Sequence, residues 1–256
     1  MTETAKTFEF GIWRWRFRPR LGPTLFTIPA LLVLVALGVW QLQRLEWKEG
    51  LIAERAERTA APVLSPPGAD ANVRDLEFRH VRLSGRFLND KEMFLAARSM
   101  NGNVGYHVVT PFVLDSGATV LVDRGWIPLD RKDAASRAAG EIAGETQVEG
   151  LIREAGHQGW LVPDNRPDEN FWFFVDVPAM AAHAGLSDVR PYFVEAGPAQ
   201  NPGGLPIGGQ TRLWLPNDHL QYAITWFLLA LALAVIYLIY HRVKPDEGAP
   251  AGGPPR

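Results

Sequence analysis

Two stretches of this chain carry no charge at all: residues 21–43 and residues 220–240. A helix needs about 20 predominantly apolar residues to cross a hydrocarbon core of roughly 30 Å, and both stretches reach that length. A helix is also the form in which one segment satisfies its own backbone groups in lipid. The chain therefore reads as a domain held between two membrane spans. The expected layout is an N-terminal tail at 1–20, a first span at 21–43, an extracytoplasmic domain at 44–216, a second span at 217–241 and a disordered tail at 242–256.

The first span differs from a cleaved leader, because its apolar region is long and Gly38-Val39-Trp40 is a poor small-x-small cleavage site. Arg14, Arg16, Arg18 and Arg20 precede the first span, and Arg242 and Lys244 follow the second. The positive-inside rule then puts both termini in the cytoplasm and the large domain outside, although Arg44, Lys48, Arg55 and Arg58 weaken the contrast. Trp15, Trp40 and Trp47 suit interfacial aromatic belts. The short, acid-containing N-terminal tail is unlike a mitochondrial transit peptide, so the expected location is a bacterial inner membrane with the domain in the periplasm. The absence of cysteine excludes disulfides and thiol chemistry. A net charge of −2 without basic blocks in the middle domain gives no footprint for nucleic acid.

The helical pattern of the first span runs on into an alternating charged stretch, where Glu54 and Arg58 stand at i,i+4 spacing. Pro62, Pro66 and Pro67 stop it, and residues 62–75 read as a linker. Beyond residue 78 the texture is that of short strands. Val81, Leu83 and Phe87 alternate with Arg82, Ser84 and Arg86, the period of a half-buried strand. Further strands are expected at 93–97, 106–114, 119–122, 146–153 and 191–196, with a short helix at 176–185 capped by Asp176 and stopped by Gly185. Asn217 or Asp218 is placed to cap the second span. The expected fold class is an α+β membrane protein: two transmembrane helices flanking a mainly antiparallel β domain, barrel or sandwich-like, with short helices.

No GxSxG, HExxH or P-loop pattern occurs. The glycine-rich residues 202–209 lack the Lys-Ser/Thr of a phosphate cradle and read as a flexible link. His80 and His107 lie on expected strands with no second metal ligand at a telling spacing. Asp115 and Asp123 flank a hairpin turn, where a catalytic carboxylate pair competes with the commoner turn and strand-end roles. Arg124-Gly125-Trp126 reads either as a docking surface or as packing. The run 171–174, Phe-Trp-Phe-Phe, is core in part and an outward-facing edge for the rest. His219 stands at the outer end of the second span, with Tyr222 and Trp226 following at i+3 and i+7 on the same helical face. Two readings stay open for it on the residues alone: an interfacial imidazole, or an axial ligand for a haem lying at the membrane surface.

Taken in order, the blocks Gly38-x-Trp40-Gln41-x-x-Arg44-x-x-Trp47-Lys48, Gly85-Arg86-Phe87, Val109-Thr110-Pro111-Phe112 and Val122-Asp123-Arg124-Gly125-Trp126-Ile127-Pro128 resemble the Surfeit-locus family of cytochrome oxidase assembly factors. The likeness is most specific in Pro206-Ile207-Gly208-Gly209-Gln210-Thr211-Arg212 and in Asn217-Asp218-His219-Leu220-Gln221-Tyr222-x-x-Thr225-Trp226. The resemblance implies a non-enzymatic factor that binds haem a transiently at the outer membrane edge and assists its insertion into oxidase subunit I. It implies that His219 is the axial ligand to the haem iron, that Trp226 accompanies it and that Tyr222 packs the porphyrin edge. The implied partners are cytochrome c oxidase subunit I, the haem a synthase and the lipid bilayer, and the glycine-rich loop becomes a lid or hinge over the site. Two rivals stand beside this reading: a haem-free scaffold that stabilises oxidase assembly intermediates, and an outer-domain enzyme using Asp123 or His107, which lacks a nucleophile–base motif.

Overall fold

The structure is a computed structural model and describes residues 16–243 apart from residue 157. Arg14, Trp15 and the tail from residue 244 lie outside the described residues. In chain order the elements are β1 (Arg16–Phe17), α1 (Leu21–Ala60), α2 (Val73–Leu76), β2 (His80–Phe87), β3 (Met93–Met100), β4 (Asn103–Leu114), β5 (Thr119–Pro128), β6 (Thr146–Glu154), β7 (Phe171–Trp172), α3 (Val177–His183), β8 (Val189–Ala196), α4 (His219–Tyr240) and β9 (Arg242–Val243). The chain divides into two compact units, Met1–Leu51 with Pro216–Arg256, and Ile52–Leu215.

The first unit is helical. At 1.5 Å per residue the 22 residues of α4 extend about 33 Å, and α1, with 40 residues, is longer still. Both are long and apolar enough to cross a membrane. Leu228, Leu231 and Ile236 on α4 and Leu25, Phe26 and Leu32 on α1 point away from the protein and are more than half exposed. A surface of that kind is stable against lipid and unstable against water, which marks a membrane protein. The buried positions of the two helices are small: Gly38 on α1, Ala223 and Ala230 on α4. Without a hydrophobic driving force in lipid, such residues let backbones approach closely. At the other end of the pair, Thr24 Oγ1 and the Tyr237 hydroxyl are 2.7 Å apart, the rings of Phe17, Tyr237 and Tyr240 surround His241, and β1 pairs antiparallel with β9.

The expected cap of α4 is not made. Asp218 takes the N-cap position, but at φ −100°, ψ 8° its backbone is not in the extended geometry that aims a capping side chain at the first turn, and it makes no cap bond. Among the described residues, Asn217 Oδ1 is buried without a partner.

The second unit is a closed five-stranded barrel in the order β2-β6-β8-β5-β4, with β4 returning to β2. Closure depends on the length of β4. Its first part, Asn103 to Val109, pairs with β3, and its last residues, Phe112 to Leu114, pair with β2. All neighbours in the ring are antiparallel except β5 and β8. β3 and β7 extend the sheet beyond the ring. Val81, Leu83, Phe87, Phe112, Leu114, Val120, Val122, Ile152, Tyr192 and Val194 form one cluster drawn from all five barrel strands, which makes it the barrel interior. Each large apolar side chain fully buried there contributes about 1.5–3 kcal/mol. Met93, Leu95, Val109, Leu121 and Phe193 pack against Trp172, Val175 and the α3 residues Val177 and Met180 in a second layer.

Two layers explain why β5 exceeds its expected span of 119–122. Successive residues Val120, Leu121 and Val122 enter opposite layers, so the strand is buried on both faces and shows no alternation. The expected linker at 62–75 is also ordered. Leu64 donates to His80 and its carbonyl accepts from Arg82, adding a bridge to the edge of β2, and α2 forms one helical turn. Asp176 caps α3 by accepting from the Ala179 amide, and Gly185 follows at φ +63°, both as the sequence predicts.

Candidate functional site

His219 is the first residue of α4. Its Nδ1 lies 2.7 Å from Gln41 Oε1 on α1, a contact between positions 178 apart in the chain. With the amide oxygen facing the ring, Nδ1 carries the proton and donates it. Nε2 is then the nitrogen with the free lone pair, and among the described residues it has no partner. The ring is half-buried. Tyr222, one turn on, is 55% exposed, while Trp226 is half-buried. The three share a side of α4, so an accessible nitrogen and two aromatic rings are presented together at a membrane-helix terminus. Nearby on α1, the Arg44 guanidinium stacks at 4.4 Å over Trp47 and at 6.0 Å over Trp40, and both indoles are about half exposed, as interfacial residues are.

An imidazole with one nitrogen tethered and the other free fits the donor set that haem iron requires. When bound, the group would supply a redox-active iron centre. The chain's own contribution would be the His219 nitrogen as a ligand to the iron, with Trp226 and Tyr222 offering flat apolar surface to a macrocycle.

In the second unit, several residues flagged by sequence take different places. His107 Nδ1 lies 2.8 Å from Asp123 Oδ2, and Asp123 Oδ1 accepts from the Gly125 amide at 3.0 Å. Asp123 is thus matched with His107 and not with Asp115, and both of its oxygens are engaged. Among the described residues no group of three His, Cys, Asp or Glu side chains suits a metal ion. The pair instead fixes a β-bulge: Val108 faces Gly125 and Val109 faces Asp123, which leaves Arg124 as the extra residue.

The bulge sends Arg124 inward. Arg124 and Trp126 are only 1% and 6% exposed, so this segment packs and is not a docking surface. Arg124 lies over the Phe87 ring, donates to the Gly140 carbonyl and stands 3.6 Å from Glu92. Arg137 donates to both oxygens of Glu92 and, at 2.7 Å, to Glu141. Burial pushes the Arg124 guanidinium down, with Glu92 and Glu141 opposing. Burial also acts to lower Arg137, but its bonds to Glu92 and Glu141 outweigh that and hold it above its ordinary value. Glu141 is pushed up by burial and by Glu92, against the pull of the two arginines. Two cations and two anions balance inside the fold, a pattern that no sequence spacing announces.

The glycine-rich loop is not a flexible link. Ile207 exchanges backbone bonds of 2.8 and 2.9 Å with Trp126, and Gly209 donates to Ala196 at 2.9 Å. Gly125, at φ +116°, sits so close that a Cβ there would lie 1.9 Å from the Ile207 oxygen. Only glycine permits that approach. In the aromatic run, Trp172 is fully buried and Phe171 meets Tyr106 and Phe173 edge-on, so none of its rings is exposed. A cavity of about 420 Å³ in this unit is lined by Leu64, Pro66, Arg82, Ser84, Asp115 and Arg190. Arg82 and Arg190 already answer Glu149 and Asp188.

A family profile described as "SURF1 family" matches residues 28–231. Surfeit locus protein 1 of Mus musculus is 36% identical over 251 residues, which cover 92% of this chain and 78% of the mouse protein. Surfeit locus protein 1 of Homo sapiens is 36% identical over 217 residues, 78% of this chain and 71% of the human one. A SURF1-like protein of Monosiga brevicollis is 32% identical over 244 residues, 91% of this chain and 92% of that protein.

Proposed function

Because the chain belongs to the SURF1 family, we propose that it is a membrane-anchored assembly factor for haem–copper cytochrome c oxidase, holding haem a transiently at the outer edge of its helix pair and assisting its insertion into oxidase subunit I. Family membership supports the oxidase-assembly role in general and a factor rather than an enzyme. The haem a reading rests on one observation: the His219 ring is tethered through Nδ1 to Gln41 and keeps Nε2 free beside Tyr222 and Trp226.

Haem a is large, apolar and reactive, and a carrier for it needs a ligand, flat aromatic contact and lipid for its hydrocarbon tail. His219 would give the bond to iron, and Trp226 and Tyr222 would contact the porphyrin edge. A single imidazole suits a carrier better than a closed pair of ligands, because release then breaks one bond. In this reading both termini are cytoplasmic and the barrel faces the periplasm of a bacterial inner membrane, where it would engage subunit I and the haem a synthase. The test is the visible spectrum of the full chain purified from cells that make haem a, beside His219→Ala. Co-purification with subunit I from a sample that never carries haem would favour the scaffold instead.

A further inference from the structure

The partner of His219 is an uncharged amide. Gln41 lies in the charge-free part of α1, half-buried, three residues after the Gly38 position where α1 meets Phe227 of α4. A polar side chain in a span is costly unless it finds a partner, and the partner of this one is the imidazole nitrogen that would not face iron.

We infer that Gln41 is the positioning residue of the His219 site: its Oε1 fixes the tautomer that leaves Nε2 as the donor nitrogen, and its neutrality keeps the iron–imidazole bond weak enough to release. The inference rests on the haem-carrier reading above. Partners on the second nitrogen of a metal-binding histidine orient the ring and set its basicity, and a carboxylate in that place raises the basicity further. A carboxylate would also carry a charge at the lipid edge. An amide accepts the same proton with neither consequence. The tether leaves the ring pre-oriented for iron.

The experiment uses the full chain in detergent, loaded with haem a. It reads affinity by absorption titration, release by transfer to excess apomyoglobin, and the iron–imidazole stretching frequency by resonance Raman spectroscopy. Gln41→Leu should weaken binding about 10- to 100-fold, the usual cost of losing such a partner. Gln41→Glu should bind at least as tightly as the parent, release several-fold more slowly and raise the stretching frequency. A loss of packing alone would not produce that pair of changes. Parent-like affinity and release in Gln41→Leu overturn the inference, and if that variant does not fold, an unmoved stretching frequency in Gln41→Glu overturns it. His219→Ala separates the two levels. Haem lost there but unaffected by either Gln41 variant removes the role of Gln41 and leaves the carrier reading standing, whereas haem retained there removes both.

Discussion

The ring of Phe227 rests on the bare Cα of Gly38, so that a Cβ built at position 38 would lie 2.6 Å from Phe227 Cε1. Phe227 stands two turns after His219 and Gly38 one turn before Gln41, so this contact sets the distance across which the amide reaches the imidazole. Gly38→Ala can be absorbed by a swing of the ring, whereas Gly38→Leu forces α1 and α4 apart. The expected outcome for Gly38→Leu is the haem affinity of Gln41→Leu, about 10- to 100-fold below the parent. Adding Phe227→Ala should restore most of it. The absorption titration checks both.

The buried charges of the barrel predict a second result. The side chains of Arg137 and Glu92 are 1% and 5% exposed. Removing Arg137 leaves Arg124 alone against Glu92 and Glu141, so one buried negative charge is uncompensated, at a cost of about 3–5 kcal/mol. Arg137→Ala should lower the denaturation midpoint of the full chain accordingly. Arg137→Met combined with Glu92→Gln should cost less than the sum of the single changes, because neither charge is left alone.

Tyr192 predicts an alkaline limit. The phenol lies in the barrel interior and donates to the Pro67 carbonyl at 3.1 Å. Burial pushes its pKa from 10 up to about 12, with Arg190 opposing. The folded value lies above the unfolded one, so the contribution of this group is fully present below pH 10 and is lost as the pH rises from 10 to 12. Complete loss amounts to about 2 to 3 kcal/mol. Tyr192→Phe should flatten the fall in stability across that interval, at the expense of about 1 kcal/mol near neutrality from the missing hydrogen bond. Denaturation midpoints of parent and variant between pH 7 and 12 check the sign.

The amphipathic parts of the fold were readable because burial on one face leaves a period in the sequence: Val81, Leu83 and Phe87 of β2 are buried, and Asp176 caps its helix. β5 was cut short because layers on both of its faces erase that period, and because Asp123 and Arg124 look like surface residues until the partners His107 and Glu92 are in place. The 202–209 loop carried the glycine signature of a hinge, yet the same glycines permit close backbone approach, and here they press against β5 and Ala196. At the candidate site, the shared face of His219, Tyr222 and Trp226 follows from helical spacing alone. Gln41 does not, since no local pattern can join positions 178 residues apart. An amide near the end of a charge-free span, one of the two at Gln41 and Gln43, was the available signal.

The colour of the protein tests the role of His219 most directly. The full chain, purified in detergent from cells that synthesise haem a, should show the absorption bands of bound haem a, and His219→Ala prepared identically should lose most of them while keeping its thermal midpoint. Equal haem a per protein in the two samples would contradict the assignment of His219 as the iron ligand.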